Sequence, residues 1–137
     1  MPGNVILDSS VIAALFFFRD ESSEKAADAI ADKELMALDL SMAEVGNVAW
    51  KRVVHFHEDP ELTFSALQEC MGFISQACAL IQASELISEA YRIAVEDKIA
   101  FYDSLFLAAC ERENAPLLTM DRKLYEKAKL KREVQMI

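Results

Sequence analysis

Four acidic residues are placed along the chain so that each follows a short apolar run or opens a helical one. They are Asp8, Glu44, Asp103 and Asp121. Because carboxylates held together in the low-dielectric body of a protein repel one another, four of them in one place make chemical sense mainly around a divalent cation. Such a cation can activate water and stabilise charge on a phosphoryl oxygen. The residues therefore indicate metal-dependent chemistry on a phosphodiester bond.

Alternating strands and helices are the elements that must position these acids. Short apolar runs predict strands, and stretches with polar caps and helical spacing predict helices between them. The predicted strands are residues 4–7, 34–40, 79–82, 117–120 and 134–137. Because strands that alternate with helices form parallel sheets, the sequence predicts an α/β fold with a parallel sheet covered by helices on both faces.

A parallel sheet would bring the four acids to one edge. Asp8 and Asp121 directly follow the first and fourth predicted strands, and Glu44 lies in the first turn of the helix after the second. The helix that holds Asp103 must end at the opposite edge to feed the fourth strand, so its first turn lies near the carboxyl ends of the strands. Ligands of parallel sheets bind at that edge. We therefore expect all four carboxylates to converge there.

Each acid also has a structural interpretation. Ser41 and Glu44 have the spacing of a capping box, and Asp121 has the position of a helix N-cap. Asp103 lies in a first helical turn, where the helix dipole favours a carboxylate, and Asp8 could serve a tight turn. Taken singly, each acid is more often structural than functional. Four independent caps at one edge of one sheet are much harder to explain.

Length and composition set the class of protein. With 137 residues and 53% hydrophobic content, the chain is expected to form one domain over residues 1–137. The apolar stretch 11–18 follows Asp8, has no basic leader and is far shorter than a membrane span. Three cysteines without paired spacing suggest neither a disulfide framework nor a zinc site. We expect a soluble, cytoplasmic protein that does not enter membranes.

Four segments of the chain resemble the PIN-domain ribonucleases, especially the small virulence-associated (VapC-type) toxins. The segments are VILDSSVI (5–12), AEVGNV (43–48), FYDSLFLA (101–108) and LTMDRKL (118–124). The resemblance covers essentially the whole chain, and order, spacing and apolar context all match. It implies a five-stranded parallel sheet, Mg²⁺ or Mn²⁺ as cofactor, and endonucleolytic cleavage of single-stranded or looped RNA.

The resemblance also implies roles for individual residues. Asp8, Glu44, Asp103 and Asp121 match the family's acidic quartet and are expected to be the catalytic, metal-holding residues. Ser10 and Thr119 match accessory hydroxyl positions. Since Mg²⁺ is usually held by one or two carboxylates, we interpret Asp8 and Asp103 as the most direct ligands. The other two acids would bind a second ion or orient waters.

Charge is unevenly distributed. A formal net charge of −9 argues against a protein that coats nucleic acid through a broad basic face. Residues 122–132, however, carry six basic residues against the single acid Glu126. Arg122 and Lys123 follow Asp121 on the same predicted helix, so they begin close to the predicted metal site. We expect these two side chains to hold the RNA backbone beside it.

Several functions remain open at this point. The leading one is a metal-dependent endoribonuclease, the toxin of a pair with a small antitoxin protein. A housekeeping nuclease of RNA maturation is the nearest alternative, and a non-catalytic binding module with the same fold is a further one. The intact acidic quartet argues against the binding module. Three consecutive phenylalanines at 16–18, with the apolar helix 60–77, suggest an interface for a homodimer or an inhibitor, although core packing explains them equally well.

Overall fold

A parallel sheet with two helical layers is formed by residues 3–137, the part of the chain that the computed structural model describes. The strands are β1 (Asn4–Leu7), β2 (Glu34–Leu38), β3 (Ala79–Ile81), β4 (Leu117–Thr119) and β5 (Val134–Met136). The helices are α1 (Ser9–Phe17), α2 (Glu21–Ile30), α3 (Leu40–Val54), α4 (Pro60–Gln76), α5 (Ile87–Asp97), α6 (Phe101–Glu113) and α7 (Arg122–Ala128). A 3-10 turn, Ala83–Glu85, precedes α5.

The five strands lie in the order β3-β2-β1-β4-β5, and every pair is parallel. From β1 the chain first adds strands on one side and later on the other, so the order reverses between β1 and β4. In open α/β sheets this reversal opens a crevice at the carboxyl ends of the strands. Leu7 pairs with Leu118, which places Asp8 beside Thr119 at the mouth of that crevice.

Each face of the sheet has its own buried core. Successive strand residues point to opposite faces, so Ile6 packs into one core while its neighbours Val5 and Leu7 pack into the other. Helices α1 to α4 supply one layer, and α5 to α7 supply the other. The sheet covered on both faces and the five-stranded parallel order are therefore confirmed. The three cysteines are buried and unpaired.

Helices α1 and α3 begin two residues after strands β1 and β2 end. The carboxylate of Asp8 accepts the first backbone N–H groups of α1, so Asp8 is the N-cap of this helix. Helix α3 begins at Leu40, because β2 ends at Leu38 rather than at residue 40.

The remaining elements match the predicted ones closely. The Asp59 carboxylate caps α4 at the backbone N–H of Leu62, with Pro60 in the first turn, as the Asp-Pro pair predicts. Asp121 caps α7. No helix formed by residues 3–137 combines the length and the apolar character that a membrane crossing requires.

Candidate active site

Asp8 lies at the centre of a hydrogen-bonded cluster at the end of β1. It is buried, with 6% of its surface exposed. Its Oδ1 accepts the backbone N–H of Ser10 at 2.8 Å and that of Val11 at 3.3 Å. The hydroxyls of Ser10 and Thr119 donate to Oδ1 and Oδ2 respectively. Asp8 is thus held as a carboxylate acceptor in one orientation.

The two hydroxyls also join β1 to β4. Ser10 Oγ accepts the backbone N–H of Met120 at 3.0 Å, and Thr119 Oγ1 accepts that of Asp121 at 2.9 Å. Each hydroxyl therefore donates to Asp8 and accepts from the segment that leads into α7. The structure brings both predicted accessory residues to the same carboxylate.

Glu44 points to the first turn of α1 instead of capping its own helix. The Ser9 hydroxyl donates to Glu44 Oε1 at 2.6 Å, and Ser9 Oγ lies 2.9 Å from Ser41 Oγ. The predicted capping box between Ser41 and Glu44 is not formed, because both side chains turn to Ser9. The structural interpretation of Glu44 is therefore wrong, and its carboxylate lies at the crevice.

Asp103 and Asp121 complete the group from the first turn of α6 and the start of α7. Asp103 is half-buried, and no donor among residues 3–137 hydrogen-bonds its carboxylate. Asp121 is exposed, and its Oδ1 accepts the backbone N–H groups of Lys123 at 3.0 Å and Leu124 at 3.2 Å. The N-cap interpretation of Asp121 is confirmed for this one oxygen.

Electrostatics shows that the four acids act on one another. Burial, together with the charges of Asp121, Asp8 and Glu44, raises the pKa of Asp103 from 3.8 to about 6. Burial also raises the pKa of Glu44, with a further contribution from the charge of Asp8, although the Ser9 hydrogen bond opposes the shift. The four predicted site residues therefore converge at one edge of the sheet.

The pKa of Asp8 is raised as well. Burial is the main cause and outweighs the hydrogen bonds from Ser10 and Thr119, which favour the charged form. A site that disfavours its own negative charges in this way is poised to take up positive charge. The donor set, four carboxylates and two hydroxyls, consists of the hard oxygen ligands that Mg²⁺ and Mn²⁺ prefer.

The carboxylates are close without forming a closed cage. In residues 3–137 no three His, Cys, Asp or Glu side chains are already arranged to hold an ion among themselves. A site for Mg²⁺ does not require such a cage, because Mg²⁺ keeps several waters and is usually bound by one or two carboxylates together with a substrate phosphate. The residues fit the ion by donor type, by charge and by the Asp103 oxygens that lack a hydrogen-bond donor.

The basic segment is partly neutralised by its own neighbours. Arg132 Nη1 and Lys131 Nζ each lie 2.6 Å from an oxygen of Asp97, and Lys129 Nζ lies 2.7 Å from Glu126. Arg122 lies 4.0 Å from the same Glu126 and remains exposed. The basic surface predicted over residues 122–132 is therefore limited to the residues of α7, because the cations that follow this helix are paired with acids.

Lys127 is a site residue that the sequence interpretation missed. Its charge lowers the pKa of Asp103, against the acids that raise it. Within the described part of the chain, neither Lys127 nor Lys123 forms a salt bridge, and both are exposed. Their spacing of four residues on α7 places the two lysines on one helix face, but spacing alone does not show that this face turns towards Asp103.

The sheet opens a crevice between β1 and β4, and four interacting carboxylates lie in that crevice. This combination of fold and site is typical of a known class of protein domain. The model of the PIN domain family matches residues 5–130, and the chain belongs to this family. The predicted family resemblance is confirmed.

Three proteins illustrate the similarity. Ribonuclease VapC3 of Pyrobaculum aerophilum is 32% identical over 124 residues, which cover 90% of this chain and 93% of that protein. Exonuclease VapC9 of the same organism is 26% identical over 129 residues, with 94% and 89% coverage. A toxin-antitoxin complex from Klebsiella pneumoniae contains a chain with a TM-score of 0.71 at 18% identity, with 96% of both chains covered.

Proposed function

We propose that this chain is an endoribonuclease that depends on Mg²⁺ or Mn²⁺. The observation that carries the proposal is the convergence of four carboxylates at the β1–β4 crevice, where burial and the three other acids also raise the pKa of Asp103. A charge arrangement this unfavourable is expected where a cation and a phosphate are to be bound. The 32% identity with a protein named ribonuclease supports RNA as the substrate.

The acids and hydroxyls of the crevice would have different roles in this reaction. Asp8 and Asp103 would hold the ion, while Glu44 and Asp121 would bind a second ion or orient the attacking water. Ser10 and Thr119 are positioning residues, since both hydroxyls fix the Asp8 carboxylate. A bound divalent ion would supply the acidity that activates water and the positive charge that stabilises the leaving oxygen.

Cations on α7 would hold the RNA backbone. The predicted residues Arg122 and Lys123 lie one and two positions after Asp121, on the exposed surface of this helix. Because Arg122 is 4.0 Å from Glu126 and Lys127 acts on Asp103, we place the stronger contacts at Lys123 and Lys127. A phosphate bound there would lie next to the acidic crevice.

Salt dependence tests this assignment. Lys123→Ala and Lys127→Ala should each weaken binding of single-stranded RNA and lower the slope of log K against log salt concentration by about 0.7, since each removes one phosphate contact. Fluorescence anisotropy at several salt concentrations measures the slope. Lys25→Ala on α2 changes the net charge equally and should leave the slope unaltered. An equal effect of all three variants would mean that only net charge matters.

A small antitoxin and a second copy of the chain are the proposed protein partners. The toxin-antitoxin complex found for a chain of the same fold supports the antitoxin. Large apolar side chains are exposed where α3 ends and α4 begins: Trp50, Val54, Phe56, Leu62 and Phe64. A cluster of this kind on a folded domain is typical of a surface that binds protein.

The phenylalanines at 16–18 contribute less to such a surface than their sequence suggests. Phe17 is buried, and the ring of Phe16 packs against Phe73 with 5.4 Å between centroids. Arg52 covers Phe18, with its guanidinium carbon 5.0 Å from the ring centroid. The homodimer therefore stays a prediction that rests on the exposed residues of α3 and α4 rather than on these rings.

A circular RNA separates the proposed function from its alternatives. We expect the purified protein to open circular single-stranded RNA in the presence of Mn²⁺ or Mg²⁺ and not in EDTA. An exonuclease, the activity named for one relative, would shorten linear RNA and spare the circle. If neither RNA is cut with either ion, the non-catalytic binding module is the better interpretation. Growth arrest on expression would separate a toxin from a housekeeping nuclease.

A further inference from the structure

An open cleft adjoins the acidic crevice, and most of the residues that line it have no role in the function proposed above. Its volume is about 630 Å³, within the range of about 300–1,000 Å³ that ligand pockets occupy. Ser9, Ser10 and Glu44 line both this cleft and the acidic crevice. Whatever occupies the cleft therefore lies beside a group bound at the carboxylates.

Two unlike walls enclose the cleft. Helix α3 contributes Leu40, Glu44, Asn47 and Val48, whose spacing of three and four residues puts them on one helix face. Tyr102, in the first turn of α6, comes from a different layer of the protein. Tyr102 has 63% of its surface exposed, so much of the ring can contact a ligand. The cleft is thus bounded by aliphatic groups, one amide, one uncovered aromatic ring and, on the side of the crevice, two serine hydroxyls and the Glu44 carboxylate.

The charge of the lining excludes a phosphate as the occupant. None of the eight described residues that line the cleft is Lys, Arg or His, and one of them is Glu44. An anion there would be repelled by this carboxylate and by Asp8 close behind it. The lining instead suits a flat, uncharged ligand with hydrogen-bonding edges. A nucleobase has these properties, since its face stacks on aromatic rings and its edge matches an amide.

We propose that this cleft binds one unstacked base of the RNA, next to the phosphate at the acidic crevice. Tyr102 stacks on the base, and the Asn47 amide hydrogen-bonds its edge. The inference rests on the proposed RNA-cleaving function, because the phosphate at the carboxylates is what places a base beside them. A base inside a duplex has both faces covered, so the cleft selects nucleotides outside helices.

Binding without cleavage tests the role of Tyr102. Fluorescence anisotropy in Ca²⁺, a divalent ion that takes oxygen ligands and replaces Mg²⁺ at the carboxylates during the binding measurement, compares labelled single-stranded oligoadenylate with an abasic ribose-phosphate oligomer of the same length. Since one base stacked on an aromatic ring accounts for a substantial part of single-strand affinity, Tyr102→Ala should weaken oligoadenylate binding about 5- to 150-fold. The abasic oligomer should bind both proteins equally. Tyr102→Phe keeps the ring and should bind oligoadenylate like the native chain.

Tyr91→Ala is the matched control, because Tyr91 is 65% exposed on α5 and does not line the cleft. Tyr91→Ala should change neither the affinity for oligoadenylate nor the affinity for the abasic oligomer. Asn47→Ala should reduce the difference in affinity between oligoadenylate and oligouridylate, since the amide reads the base edge. An equal loss for the abasic oligomer would show that Tyr102 contacts the backbone, and no loss at all would show that the base lies elsewhere. Either result overturns the proposal.

The same experiment keeps this inference separate from the proposed function. Base-dependent binding through Tyr102, together with no cleavage of RNA by the native protein in Mn²⁺ or Mg²⁺, would preserve the base site and refute the nuclease. Cleavage by the native protein, together with unchanged oligoadenylate binding by Tyr102→Ala, would preserve the nuclease and refute the base site.

Discussion

Asp8→Asn should reduce RNA cleavage by at least about a hundredfold while the protein remains folded. The substitution removes one negative charge from the proposed ion site, and a metal's stabilisation of the transition state is worth several kcal/mol, with about 1.4 kcal/mol for each factor of ten. Asparagine Oδ1 can still accept from the N–H groups of Ser10 and Val11, so the start of α1 should be kept. Cleavage rates with Mn²⁺ and far-UV circular dichroism measure the two effects.

Asp39→Asn is the matched control for this variant. Asp39 also follows a strand at the same edge of the sheet, but its Oδ1 accepts the backbone N–H of Ala83 at 2.9 Å. Its charge is not among the main causes of the raised pKa of Asp103. We expect Asp39→Asn to cleave RNA at the native rate. Undiminished cleavage by Asp8→Asn, or an equal loss in Asp39→Asn, would contradict the assignment of the site.

The comparison of Asp8 with Asp39 shows how far the sequence could predict this site. Strand ends are encoded locally, by apolar runs that stop at a polar residue, so Asp8 and Asp121 could be placed from the sequence. Asp39 fell inside the predicted strand 34–40, because the run there ends two residues later than the hydrogen-bonded strand does. Its hydrogen bond to Ala83 spans 44 residues and leaves no local signal.

For Glu44, the capping box predicted from its local spacing was wrong. The spacing of Ser41 and Glu44 fits a capping box, and short-range patterns alone favour that structure. Ser9 competes for both side chains from 32 and 35 residues away, because α1 and α3 pack on the same face of the sheet. The predicted position of Glu44 at the edge of the sheet thus agrees with the structure, whereas the predicted capping box is not formed.

Lys127 and Tyr102 could not be located from the sequence for a related reason. The effect of Lys127 on Asp103 depends on how α7 sits against α6, and the exposure of Tyr102 depends on the gap between α6 and α3. Both are properties of helix packing rather than of spacing along one helix. The parallel sheet fixes where strands end, but the angles of the covering helices decide which long side chains reach the crevice.

Asp103→Asn should stabilise the metal-free protein at neutral pH. The pKa of Asp103 is about 6 in the folded chain and 3.8 in the ordinary state, so between these values the folded state binds more protons than the unfolded one. The contribution of Asp103 to the free energy of unfolding is therefore fully present below about pH 4, and it is lost as pH rises through about 6. Asparagine does not titrate and carries no charge for the other acids to repel.

The expected gain above pH 6 is about 1 kcal/mol, after allowing for solvent screening of a half-exposed group, or a few degrees in Tm. Thermal unfolding of both proteins in EDTA between pH 4 and pH 7 measures it. The difference in Tm should grow with pH and vanish near pH 4. Asp28→Asn, an exposed position on α2, should show no such dependence. A difference that is constant over this range would mean that Asp103 is not strained by its neighbours.

Adding a divalent ion should reverse this order of stability. An ion that binds only the folded state stabilises it by RT ln(1 + [L]/Kd), about 2.7 kcal/mol at a hundredfold excess over Kd. The native chain should therefore gain more from Mn²⁺ or Mg²⁺ at pH 7 than Asp103→Asn, whose site has lost a ligand. The gain of the native chain should fade as pH falls below about 6, because protons then compete for the Asp103 carboxylate. An equal response of both proteins to millimolar Mn²⁺ would show that the ion binds elsewhere, and the raised pKa of Asp103 would then reflect burial among carboxylates without a cation to relieve it.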